Sequence, residues 1–137
     1  MPAMHGAAPA PLDFEFPLGL PAFEHLRRFR LVRQEEFSPL VLLESGERAG
    51  LRFVCAPLEL LDPQYQLELQ PGEAGLLGAG DGLLKLVVLT FPEEGCPTAN
   101  LLAPVVLNPA TGRGLQTVQA GSSYSPCQAL RGGGGCS

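Results

Sequence analysis

The sequence contains no tryptophan, and its only histidines are His5 and His25. With His25 as the one candidate base outside the N-terminal stretch, a Ser–His–Asp or Cys–His nucleophilic site has little to be built from. The four cysteines, Cys55, Cys96, Cys127 and Cys136, form no CxxC and have no zinc-ligand spacing with the histidines. No apolar stretch approaches the roughly 20 residues that a membrane-spanning helix needs. The N-terminus lacks the basic and long apolar regions of a secretory signal. These absences predict a cytoplasmic protein, off the membrane, with free thiols and no metal or cofactor. No internal repeat is visible.

What is present is one domain's worth of chain. Its 137 residues suffice to bury a core without staples, and a hydrophobic content of 45% suits a globular protein. Seventeen glycines and fourteen prolines break the chain into short elements, which favours strands over helices. The net charge of −5 argues against direct nucleic-acid binding, because neutralising phosphates takes a basic face.

That charge is unevenly spread. Residues 59–96 hold seven acids (Glu59, Asp62, Glu68, Glu73, Asp81, Glu93 and Glu94) against Lys85 alone, while residues 97–137 hold no acid. A solvated face that keeps the protein soluble is the plain explanation. The sharper one is a docking surface for a basic partner. Asp62, Glu73, Asp81, Glu93 and Glu94 fall in turn-like stretches, where side chains are expected to be exposed.

Hydrophobic patterning predicts strands over residues 12–16, 29–33, 40–43, 51–56, 65–70, 83–91 and 101–107. In the first, Leu12, Phe14 and Phe16 are expected to face a core. In residues 65–70, Tyr65, Leu67 and Leu69 alternate with Gln66, Glu68 and Gln70, the cleanest half-buried pattern in the chain. Residues 83–91 form a near-continuous apolar run, expected as a central strand with Lys85 exposed or snorkelling. Short helical turns are expected at 22–28 and 73–77. The whole predicts an all-β protein, a small antiparallel barrel or barrel-like sandwich with one or two helical turns. Its domain spans residues 12–125, between a disordered tail at 1–11 and a flexible glycine-rich tail at 126–137.

The most informative stretch is residues 98–116. Its apolar run is broken at Pro104, which suggests an edge position or a bulge, and is stopped by Asn108-Pro109. Thr98-Ala99-Asn100-Leu101, Ala103-Pro104-Val105-Val106-Leu107-Asn108, Arg113-Gly114 and Gln116 occur in an order matched by a second block. That block is Gly19-Leu20-Pro21-Ala22-Phe23, then Phe29, then Ser38-Pro39-Leu40 with Leu43 and Ser45. Phe53, Pro57 and Tyr65 fall between them. Together these resemble the FliW family of bacterial flagellar assembly factors, over residues 14–124. Three positions depart from the family pattern. Ala22 replaces a usual glycine, Glu44 stands where glutamine is more frequent, and Leu40 replaces a common aromatic. The resemblance implies a non-enzymatic cytoplasmic protein, monomeric when unbound, with two protein partners. One is CsrA, a small basic RNA-binding regulator that represses flagellin translation, and the other is flagellin itself.

Apparent chemistry elsewhere has plainer readings. Glu93-Glu94, imagined as an acid and a base, reads better as a solvated Pro/Gly turn. Residues 78–82 lack the GxGxxG order and carry an acid that repels phosphate. Asn100 and Asn108 can cap strand ends or contact a partner. Arg113, between two glycines at a loop tip, is evenly placed between solvation and contact. A small enzyme or ligand-binding barrel with a scattered site is the alternative class.

Overall fold

In the computed structural model, which describes residues 12–130, the chain closes into a β-barrel. The expected tail at 1–11, with His5, and residues 131–137, with the glycine run and Cys136, lie outside the described residues. Strands β1 (Leu12–Glu15), β2 (Arg28–Arg33), β3 (Val41–Ser45) and β4 (Arg52–Pro57) pair antiparallel in succession. Then β5 (Leu84–Thr90) pairs with β4 on one side, and with both the short β6 (Thr98–Ala99) and β7 (Val105–Asn108) on the other. β8 (Arg113–Gln116) completes the ring, antiparallel to β7 and parallel to β1 at Glu15 and Arg113. The closing seam includes a hydrogen bond from the Glu15 N–H to the Gly112 carbonyl at 2.7 Å. Closure of β1 to β5 with β7 and β8, seven strands, leaves the barrel ladder without a free edge.

Alternation along the strands sends Phe14, Phe29, Leu31, Val41, Leu43, Cys55, Leu86, Val105 and Leu107 into one interior cluster. Phe16 joins them, its ring 5.2 Å from that of Phe29 in an edge-to-face arrangement. Gly114 on β8 makes room for it. A Cβ there would lie 2.8 Å from the Phe16 ring and 2.6 Å from Leu107, so no larger residue fits without displacing core side chains.

The outer wall is covered on one side only. Helix α1 (Leu58–Leu61) lies over β4 and β5, where Leu58, Val87, Leu89, Ala99 and Leu101 form a second cluster. Helix α2 (Glu73–Leu77) lies against β8, and its Leu77 packs with Val106 and Leu115 in a third. β5 and β7 are therefore apolar on both faces, which explains their continuous hydrophobic runs.

Several sequence expectations are corrected. The run at 83–91 forms a strand only from Leu84 to Thr90, and Phe91 is 54% exposed. In residues 101–107 the ladder begins at Val105, after Pro104. The proline occupies neither an edge nor a bulge but the approach to the strand, where its missing N–H is harmless. Leu12 is exposed, because β1 begins at the barrel rim. Residues 22–27 form turns and irregular chain rather than helix, and Arg28 already opens β2, although Leu26 is buried as expected. Residues 65–70 keep the predicted alternation but pair with no strand. Residues 128–130, expected within the flexible tail, are part of the fold: β9 (Gln128–Ala129) pairs with β6 and Leu130 packs against the second cluster. Cys55 and Cys127 are free, but Cys96 is disulfide-bonded, against the expectation of free thiols. Among the described residues no helix is long and apolar enough to cross a membrane.

Candidate interaction surface

The residues singled out from sequence divide into structural clamps and exposed charges. Asn108 is fully buried at the end of β7. Its Nδ2 donates to the carbonyls of Leu77, Gly78 and Ala79 at 2.9, 3.3 and 3.3 Å, and its Oδ1 accepts from the Ala110 N–H at 3.0 Å. It thus ties the end of α2 to the β7–β8 hairpin, where a buried polar group needs every partner it can find. Asn100 caps a turn, accepting from the Ala103 N–H at 3.1 Å. Glu73 accepts from the Gln70 N–H at 2.7 Å and from the Thr117 hydroxyl at 2.6 Å. Asp62 accepts from the Gln64 N–H at 3.1 Å. Arg113 is exposed and donates to the Leu76 carbonyl at 3.3 Å.

Asp81, Glu93 and Glu94 are exposed and make no hydrogen bond or ion pair among the described residues. They do not form one face. Asp81 precedes β5 while Glu93 and Glu94 follow it, so a strand of seven residues, about 23 Å at the usual rise, separates them. The acidic segment is continuous in sequence and divided in space.

The outer face of β2, β3 and the first half of β4 carries two rows of side chains. The register aligns Asp13, Arg30, Glu44 and Arg52 across four strands, alternating in sign. Arg30 Nε donates to Asp13 Oδ1 at 2.8 Å, and this bond holds the Asp13 carboxyl below its ordinary value. Both groups are well exposed, so the pair contributes little to stability. Glu47, nearby at the β3–β4 loop, accepts from the N–H groups of Arg28 and Arg27, which lower its pKa.

The next row is apolar. Val32 pairs with Leu42, and Leu42 with Val54. Leu40 and two large, mostly exposed rings, Phe37 and Phe91, complete a groove of about 390 Å³ over this row. Sequence reading missed it. Phe37 follows two acids in a loop, and Phe91 reads as the buried end of a strand. The available signal was outward-parity apolar residues on three successive strands. Glu35 and Glu36 precede Phe37, and Glu93 and Glu94 follow Phe91. None of the four makes an ion pair among the described residues.

A cavity of about 450 Å³ opens at the end of the barrel, lined by Leu31, Val41, Leu84 and Leu86 with Arg33 and Lys85. Among the described residues no group of His, Cys, Asp and Glu is placed to hold a metal ion.

A model of the FliW protein family matches residues 7–130. The chain is 38% identical over 113 residues to the flagellar assembly factor FliW of Azoarcus sp. (strain BH72), covering 76% of this chain and 77% of the relative. It is 34% identical over 123 residues to that of Syntrophomonas wolfei, covering 83% and 79%. A crystal structure of the flagellar assembly factor FliW superposes with a TM-score of 0.80 at 26% identity, over 89% of this chain and 87% of that one.

Proposed function

The chain belongs to the FliW family of flagellar assembly factors, and from this we propose that it acts as a binding regulator of flagellin synthesis. It binds CsrA and relieves its repression of flagellin mRNA. It also binds flagellin, so that free flagellin competes for it and synthesis follows assembly. It works in the cytoplasm, without catalysis or a cofactor, and is monomeric when unbound.

The observation that carries this reading is where the fold places its side chains. Phe14, Phe16 and Phe29 pack with their aliphatic neighbours into one interior cluster, and the charged side chains lie on the outer surface. There Asp81, Glu93 and Glu94 stand unpaired among the described residues, suited to a basic partner. The test uses purified CsrA and purified flagellin on the immobilised protein, by surface plasmon resonance. We expect each to bind alone, flagellin to displace CsrA, and CsrA association to slow as salt rises. Failure of both to bind overturns the reading.

A further inference from the structure

We propose that the groove between Phe37 and Phe91 is the docking site for the basic partner, taking an apolar side chain carried on a positively charged segment. The proposal deepens the reading above and rests on it.

Leu40 and Val54 in the groove also pack against the second core cluster, but its two rings do not. Phe37 is 55% and Phe91 54% exposed, whereas Phe14, Phe16 and Phe29 are buried. Large apolar side chains grouped on a surface mark binding sites, and aromatic anchors supply most of the energy of many interfaces. The floor is the row Val32, Leu42 and Val54, held by three paired strands of a closed barrel. A rigid floor of this kind needs little ordering on binding.

Charge selects the occupant. Among the described residues Arg52 is the only cation lining the groove, and Glu44, its register partner on β3, lines it too. Outside the lining, the exposed acids Glu35 and Glu36 immediately precede Phe37 in the chain, and the exposed Glu93 and Glu94 follow Phe91 by two and three residues. An apolar floor whose two rings each have an acidic pair next to them in the chain fits a segment whose apolar residue enters the groove and whose flanking lysines or arginines meet the carboxylates. An acidic or uniformly polar segment, or a second copy of this net-negative chain, is disfavoured by the same charges.

The probe is purified CsrA. In Phe37→Ser/Phe91→Ser, both changes are at exposed positions, and an unchanged thermal melt establishes that the barrel is intact. Binding should weaken on the order of ten-fold or more, the loss expected for truncating anchor residues. Neutralising Glu35, Glu36, Glu93 and Glu94 to glutamine should reduce the salt dependence of association. Leu60→Ser, at an equally exposed leucine on α1, should leave the affinity unchanged. Because the chain has no tryptophan, Phe37→Trp provides a single indole that should shift to shorter wavelength when CsrA is added. Wild-type affinity in the double serine variant, or an unmoved indole at saturation, overturns the proposal while leaving the proposed function standing. So does a serine variant that loses flagellin and keeps CsrA. Absence of CsrA binding to the wild type overturns this proposal, and absence of both CsrA and flagellin binding overturns the proposed function with it.

Discussion

The side-chain amide of Gln119 pairs with both backbone groups of Glu68, accepting from its N–H at 2.8 Å and donating to its carbonyl at 2.7 Å. One glutamine thus does for residues 65–70 what a neighbouring strand does elsewhere. The same segment receives help at its other positions. The Gln66 N–H donates to the Tyr124 hydroxyl at 3.1 Å, and the Gln70 N–H to Glu73. Gln119 is almost fully buried, so its amide has no water to fall back on.

Replacing Gln119 with leucine should therefore lower unfolding stability by about 1–3 kcal/mol, the usual loss when buried backbone groups lose their partner. Urea denaturation measures the loss, and amide hydrogen exchange should locate it, with faster exchange at Glu68. Unchanged protection at Glu68 would show that the pairing is dispensable.

Ala22 has φ +71°, in the left-handed region, within a turn closed by the Phe23 N–H donating to the Leu20 carbonyl at 2.7 Å. Pro21 and a positive φ at the next position are the pattern of a type II turn, which favours glycine there. Ala22→Gly should raise stability by roughly 0.5–1 kcal/mol, as relief of the Cβ clash exceeds the added freedom of the unfolded chain. A melting temperature at or below the wild type would contradict this.

Cys55 lies inside the barrel with no exposed surface, and burial pushes its thiol up to about 12. Cys127 is free and exposed. Since the thiolate is the reactive form, iodoacetamide at about pH 8 should label Cys127 in the native protein and spare Cys55 until urea opens the barrel. Peptide mass spectrometry reads the two sites separately. Equal labelling of both in the native state would mean that the β4 wall opens freely.

Tyr65 stacks on Tyr124, with ring centroids 3.9 Å apart, and donates its hydroxyl proton to the Leu101 carbonyl at 2.5 Å. Desolvation, with smaller contributions from Tyr124 and Asp62, raises its pKa from 10.0 to about 12. The folded protein holds this proton more tightly than the unfolded chain. The associated stability is complete below pH 10 and is lost as pH rises towards about 12. Tyr65→Phe should be less stable than wild type at neutral pH, through loss of the Leu101 bond, and should lose less stability over that alkaline window. Parallel alkaline curves for the two proteins would place the titration elsewhere.

The strands were legible because alternation and apolar runs record burial directly. β2, β3, β4 and β5 fall within a residue or two of their expected places. The family resemblance was legible too, as short motifs in order along most of the chain. Part of it has a physical cause visible in the barrel: Gly114 yields to Phe16, and Asn108 clamps the end of α2. What local pattern could not supply was partnership between distant residues. Residues 65–70 alternate like a strand, yet their partner is the side chain of Gln119, some fifty positions away. Seven acids within 59–96 read as one charged segment, but β5 carries the chain across the barrel between Asp81 and Glu93, and hydrogen bonds commit Asp62 and Glu73 to local structure. The groove at Phe37 and Phe91 was least visible of all. Its floor takes one outward residue from each of three strands, and its rings come from a 3-10 turn (Glu35–Phe37) and from the residue after β5, which closure of the barrel brings to the same face. Sequence sets which residues seek burial, whereas strand register and barrel closure decide which of those left outside become neighbours.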